Sequence, residues 1–86
     1  MIVKFHKSFE KQFAKLPKKV REQFKARRDI FLINPYSSIL SNHPLTGDFL
    51  GYRSINVTGD FRAIYKQEGD IAIFTDIDTH SNLYGS

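Results

Sequence analysis

The sequence predicts an α+β domain of element order β-α-α-β-β-β, an antiparallel sheet packed against an N-terminal helical hairpin. Three observations predict it. An apolar, β-branched run, Ile2-Val3-Lys4-Phe5, opens the chain. Apolar residues then recur at helical spacing up to Ile33. Three strand-like runs, separated by turn residues, fill residues 52–77. At 86 residues, with 41% hydrophobic and 26% charged, the chain has a globular balance. A chain this short buries only about 60% of the surface it exposes when unfolded. It can build one layer of helix on one sheet, hence a single domain over residues 1–86.

Each element has its own local reasons. Ile2–Phe5 is the first strand, and Ser8 is positioned to cap the helix that follows. Phe9, Phe13 and Leu16 stand at i, i+4 and i+7, on one face of that helix. Pro17 ends it and suits the first turn of the next, where a missing N–H costs nothing. The second helix runs from about Pro17 to Ile33, with Val20, Phe24 and Phe31 inside an arc of roughly 40° as its core stripe. Asn34-Pro35 stops it. Residues 34–50 are rich in Asn, Pro, Ser and Gly and read as a long loop with room for one helical turn. Tyr52–Val57 and Phe61–Lys66 flank Thr58-Gly59 as a hairpin. Glu68-Gly69-Asp70 turns into the last strand, Ile71–Ile77, apolar enough to be central. The tail, Ser81–Ser86, is short enough to close over the sheet.

Composition narrows the chemistry. The absence of cysteine excludes disulfides, thiolate metal sites and thiol nucleophiles. No apolar run reaches the roughly 18 residues of a membrane span, and no signal peptide opens the chain, so a cytosolic protein without a membrane partner is expected. The net charge of +4 is uneven: residues 1–43 hold ten Lys/Arg against three Asp/Glu, and residues 44–86 hold three against six. A basic first half attracts a polyanion or an acidic protein.

Two constellations carry possible chemistry. Lys18, Arg21, Lys25 and Arg28 fall within an arc of roughly 80° on the second helix. Such a row either tracks RNA phosphates or is a solvated helix face. Arg27 projects into the apolar stripe, where it either snorkels over the core or is covered by a partner. The second constellation comprises His43 in the long loop, Asp60 and Arg62 at the third strand, His80 after the fourth, and Tyr84 in the tail. Two imidazoles around an arginine can cleave RNA without a metal. One takes the 2′-hydroxyl proton, one protonates the leaving 5′-oxygen, and the guanidinium steadies the phosphate. The alternative reading of each histidine is a surface or capping residue. No HxH, HxxxH or clustered-carboxylate pattern is present, so no metal or other cofactor is expected.

The segments Asn42-His43-Pro44-Leu45-Thr46-Gly47, Gly51-Tyr52-Arg53, Gly59-Asp60-Phe61-Arg62-Ala63-Ile64-Tyr65 and Asp78-Thr79-His80-Ser81-Asn82-Leu83-Tyr84 resemble the RelE/ParE toxin superfamily. The likeness is strongest to its YafQ-like branch and covers nearly the whole chain. It implies a RelE-like fold and the toxin of a type II toxin–antitoxin pair, which enters the ribosomal A site, cuts mRNA there and is neutralised by a cognate antitoxin. By resemblance His43 matches a catalytic histidine, Asp60 the acid of an Asp-aromatic pair, and Phe61 the place of its frequent tryptophan. His80 matches a histidine acting as general acid or base, Tyr84 a terminal aromatic (usually Phe) that positions substrate, and Arg62 a strand arginine. Arg53 joins Lys18, Arg21, Lys25 and Arg28 as a candidate RNA contact. Phe61 and Tyr84 could equally be core aromatics; parity favours this for Phe61.

Two positions depart from the branch. Asn56 stands in place of a histidine, and Asp76 in place of an arginine. Arg62 is then either the compensating cation or a sheet-surface arginine paired with Asp60 or Asp76. The departures also keep open a toxin that has lost catalysis. A ParE-like, non-nucleolytic inhibitor of DNA gyrase shares the fold, so fold alone does not separate it from the nuclease.

Overall fold

A computed structural model describes residues 1–85; Ser86, the end of the expected tail and domain, lies outside the described residues. The elements are β1 (Ile2–Phe5), α1 (Lys7–Ala14), α2 (Lys18–Ile33), β2 (His43–Pro44), β3 (Arg53–Asn56), β4 (Phe61–Glu68), β5 (Ile71–Thr79) and α3 (His80–Tyr84). Two 3₁₀ turns, Ser38–Leu40 and Gly47–Phe49, lie on either side of β2. The strands form one sheet in the order β1-β5-β4-β3-β2.

The α+β class and the helical hairpin are as expected. Pro17 precedes α2 in an extended conformation and so serves as its N-cap, and Val20, Phe24 and Phe31 are all buried. The α1 cap differs from expectation. His6, not Ser8, is the N-cap, its Nδ1 accepting the Ser8 amide. The Ser8 hydroxyl instead donates to the Thr75 carbonyl at 2.7 Å and ties α1 to β5.

The sheet is not antiparallel throughout. β2, β3, β4 and β5 pair antiparallel, but β1 lies parallel to β5, from Ile2 opposite Ile71 to Phe5 opposite Phe74. β1 is joined to its partner through the rest of the chain rather than through a tight turn. Its direction is therefore set by burial, with Val3 and Phe5 brought against the helices.

The core is aromatic. Phe74 of β5 meets Phe5, Phe9, Phe24, Phe31 and Tyr65 at ring-centroid distances of 5.2–6.0 Å. A bulge follows it: Tyr65 opposes Phe74 but Ile64 opposes Asp76, so Thr75 is the extra residue. Unbroken alternation from Phe74 would turn Asp76 and Asp78 into the core. The bulge puts Ile77 there instead, fully buried, and turns both carboxylates to the far face. Side chains of α1 satisfy the disturbed backbone, with Ser8 on the Thr75 carbonyl and Gln12 Oε1 accepting the Ile77 amide.

α3 continues from β5. Thr79 Oγ1 caps it by accepting the Asn82 amide, and Gly85, at φ +70°, closes it in the left-handed region open to glycine.

Candidate active site

Strand pairing sorts the candidate residues by face. Residues directly opposite one another on neighbouring strands project to the same side. Arg53, Tyr65 and Phe74 form a row pointing to α1 and α2. The adjacent row, His43, Ser54, Ile64 and Asp76, therefore points away from the helices. One row further toward the β3–β4 turn, about 7 Å along the strands, come Asn56, Arg62 and Asp78 on that same far face.

His43 and His80 converge on this side. With Pro44, Leu45, Thr46 and Tyr84 they line a shallow cleft of about 280 Å³. A neighbouring cleft of about 490 Å³ runs between the Gly47–Phe49 turn and α3, sharing Thr46 and Tyr84 with the first. Both histidines are exposed. The His43 Nδ1 lies 2.8 Å from the Ser41 carbonyl. A carbonyl only accepts, so Nδ1 carries a proton, and in the neutral ring the lone pair is on Nε2. The His80 ring meets Tyr84 edge-on, centroids 4.7 Å apart.

Asp60 and Arg62 do not line the cleft. The Asp60 carbonyl accepts the His80 amide at 2.9 Å, which joins the β3–β4 turn to the start of α3. Arg62 pairs with neither Asp60 nor Asp76; among the described residues the ion pairs within 4.0 Å are Lys18–Glu22 and Arg28–Asp29. Its guanidinium is anchored by one nitrogen, which donates to the carbonyls of Thr58, Gly59 and Phe61 at 3.0, 3.2 and 3.0 Å. Its Nε and second terminal nitrogen have no partner among the described residues. That edge is the fork that binds phosphate bidentately. Tyr84 is half-buried between His80 and Phe49, and its hydroxyl is buried with no hydrogen-bond partner among the described residues. Much of the ring is thus committed to packing rather than free for a base.

The basic residues lie elsewhere. Lys18, Arg21, Lys25 and Arg28 stand on α2, in the layer on the opposite side of the sheet from the histidines. Arg21 donates to the Leu16 carbonyl and Arg28 to Asp29. Lys25, Arg28 and Glu10 rim a groove of about 320 Å³ floored by Phe5, Phe9, Phe13 and Phe24. Arg53 does not join them and does not face the cleft. It points to the helix side, where Nε donates to Asn42 Oδ1 at 2.8 Å and the guanidinium sits 5.4 Å from the Tyr36 ring centre. Arg27 is half-buried and donates to the carbonyls of Val57 and Ile39. Phe61 packs against the core. By register the face with the histidines carries Asp76, Asp78 and Glu68 against Arg62, Lys66 and Lys4, with Asp60 in the β3–β4 turn at its edge.

Asn42 has a structural place that its motif alone did not reveal. Its amide joins Tyr65 Oη, the Pro35 carbonyl and Arg53. Among the described residues no group of three or more His, Asp or Glu side chains is gathered to hold a metal ion. No described helix is long and apolar enough to cross a membrane.

Residues 1–85 match the family described as bacterial toxin of type II toxin–antitoxin system, YafQ. The mRNA interferase toxin YafQ of Escherichia coli (strain K12) is 35% identical over 51 residues, covering 59% of this chain; the matched stretch spans about half of that relative, 55% of its length. The crystal structure of YafQ from E. coli strain BL21(DE3) matches with a TM-score of 0.81 at 24% identity, over 96% of this chain and 97% of that one, a likeness of fold. The YafQ chain in the E. coli DinJ–YafQ complex gives a TM-score of 0.76 at 26% identity, over 96% of this chain and 97% of that one.

Proposed function

The chain belongs to the YafQ family of type II toxin–antitoxin toxins, and on that premise we propose that it is an mRNA interferase, a ribosome-dependent endoribonuclease acting in the A site. The observation that carries the reading is the convergence of His43 and His80 on one cleft, with His43 Nδ1 turned to the Ser41 carbonyl. Nε2 of His43 takes the proton of a ribose 2′-hydroxyl. The freed oxygen attacks the adjacent phosphorus and closes a 2′,3′-cyclic phosphate. The P–O5′ bond breaks, and the imidazolium of His80 gives its proton to the leaving 5′-oxygen. Each transfer contributes about 10²- to 10⁴-fold, and neither calls on a metal. Arg62 offers its open fork to the charge that gathers on the phosphoryl oxygens. Asp60, exposed where α3 begins, offers a carboxylate to the ribose hydroxyls. Tyr84 holds the His80 ring from its edge.

The stripe Lys18, Arg21, Lys25 and Arg28 contacts ribosomal RNA rather than the scissile phosphate, from which the sheet separates it. The partner that silences the protein is a cognate antitoxin. An acidic segment with apolar side chains complements the α1–α2 groove, whose aromatic floor is rimmed by Lys25 and Arg28. The site of action is the cytoplasm, where ribosomes translate.

The test is cleavage of mRNA on translating ribosomes and growth on induction. The double variant His43→Ala, His80→Ala should lose both cleavage and growth arrest while remaining folded. Undiminished toxicity would sink the reading. Arrest of DNA replication before protein synthesis would point instead to gyrase inhibition.

A further inference from the structure

β2 is too short to hold His43 by itself. It has two residues, paired with Ser54 and Arg53, and the second is Pro44, which has no N–H to give. What precedes His43 is a corner in an unfavourable conformation. Ser41 has φ +47°, the left-handed region, and it is the only non-glycine there among the described residues. That twist carries the Ser41 carbonyl to His43 Nδ1. A strained corner persists only where its surroundings over-determine it.

The corner closes the Ser38–Leu40 turn, its amide donating to the Ser38 carbonyl and Leu40 buried before it, and one side chain fastens it to the sheet. Asn42 lies between Ser41 and His43, and its amide is held at both ends. Nδ2 donates to Tyr65 Oη at 2.7 Å and to the Pro35 carbonyl at 2.8 Å, and Oδ1 accepts from Arg53 Nε at 2.8 Å. Tyr65 is fully buried in the aromatic core, and Arg53 is braced by Tyr36. Asn42 thus fixes the end of the long loop to β3, β4 and its own beginning at once.

We infer that Asn42, clamped by Arg53 and Tyr65, is a positioning residue that sets the Ser41 corner and through it the Nδ1–H tautomer of His43. This rests on the proposed role of His43 as base only for its effect on cleavage; the tautomer can be measured without activity. Neither Asn42 nor Arg53 touches RNA in this arrangement. They act from the helix side of the sheet on an imidazole that works on the other.

The experiment compares wild type with Asn42→Ala, Arg53→Ala and Asn42→Asp. Two-bond ¹⁵N–¹H spectra of histidine-labelled protein, with His43 assigned by loss in His43→Gln, read the tautomer directly. Wild type should show His43 protonated at Nδ1. Asn42→Ala should mix the two tautomers and lower kcat by up to about 100-fold, the cost of a misplacement near 1 Å, with KM little changed. Arg53→Ala should move both readouts in the same direction. Asn42→Asp keeps an acceptor for Arg53 and can accept from Tyr65 with the donor reversed, but it sets a carboxylate oxygen against the Pro35 carbonyl, so it should recover both only in part. A single Nδ1–H tautomer with undiminished kcat in Asn42→Ala and Arg53→Ala overturns the inference. Should Asn42→Ala not fold, Arg53→Ala decides alone, because it leaves the bonds to Tyr65 and Pro35 in place. If wild type does not cleave mRNA but the tautomer shifts in the variants, the clamp stands and the assignment of function falls.

Discussion

Replacing Arg62 separates two roles that the proposed function gives to different edges of one guanidinium. One terminal nitrogen braces the β3–β4 turn through the carbonyls of Thr58, Gly59 and Phe61. The Nε edge is open. Arg62→Ala removes both. The turn carbonyls are near solvent and regain water, so the brace costs only about 1 kcal/mol of stability, roughly a 4–8 °C fall in Tm for a domain of this size. The fork costs more. A hydrogen bond to a charged group is worth about 1.5–3 kcal/mol, and two of them, coupled rather than additive, amount to about 3 kcal/mol. At about 1.4 kcal/mol per decade that is on the order of 100-fold in kcat. Arg62→Lys returns a point charge without a fork, so cleavage should recover only part of the way, to about tenfold below wild type. Single-turnover cleavage on programmed ribosomes, beside a urea melt, measures both effects. Cleavage by folded Arg62→Ala within about threefold of wild type would refute the role of Arg62 at the phosphate. Full recovery with lysine would refute the fork while keeping the cation.

Three further outcomes follow from the packing. The Tyr84 hydroxyl is buried without a partner among the described residues, and leaving a buried polar group unmade costs about 1–3 kcal/mol. Tyr84→Phe should therefore leave Tm unchanged or raise it, and a clear fall would show that the hydroxyl is bonded. Burial raises the Tyr65 phenol above its ordinary value of 10.0, against the opposing pull of the Asn42 hydrogen bond and the Arg53 charge. The folded value then exceeds the unfolded one, so stability is full below about pH 10 and falls as pH climbs through the raised value. Phenolate absorbance of wild type minus Tyr65→Phe should show a midpoint above 10, and melts above that pH should fall faster for wild type. Phe74→Ala empties the centre of five aromatic contacts and should cost about 3–5 kcal/mol in urea denaturation. That is a large part of the roughly 4–13 kcal/mol expected of a chain this long, and a loss under about 1 kcal/mol would mean that the core lies elsewhere.

What was legible in the sequence was what repeats. The i, i+4, i+7 spacing of Phe9, Phe13 and Leu16 and the stripe of Val20, Phe24 and Phe31 located both helices and the face they bury. Turn chemistry located the β3–β4 and β4–β5 connections. The direction of β1 was not legible, because no tight turn links it to β5. Nor was the bulge at Thr75, since one inserted residue leaves no mark in a run as apolar as Ile71–Ile77. Its consequence is large, because it decides that Asp76 and Asp78 face the histidines' side. The placement of Arg53 was legible and overlooked. It shares parity with Ile55 and Val57, which are fully buried, and so belongs to the core side of β3. The motif marked His43 and His80, but the corner that orients His43 depends on a φ of +47° at Ser41 and on contacts across 7, 11 and 23 residues. No local pattern carries those.

The division of charge across the sheet gives a physical reason for dependence on the ribosome under the proposed reading. The cations of α2 lie beyond a layer of sheet and a layer of helix, each about 10 Å thick. That exceeds the screening length of about 8 Å at physiological salt, so they add little to the potential at the cleft. In the two rows nearest the histidines Asp76 and Asp78 stand beside Arg62, with Asp60 in the adjoining turn, while Lys66 and Lys4 share a row beyond them. A free RNA strand would meet a face that offers one open fork and several carboxylates, too little to hold a polyanion in place. A ribosome changes that balance. It can grip the basic helix layer from one side while its own contacts hold the message in the A site against the other. The energy of binding then comes from surfaces remote from the reaction, and the cleft is left to supply two imidazoles and a guanidinium.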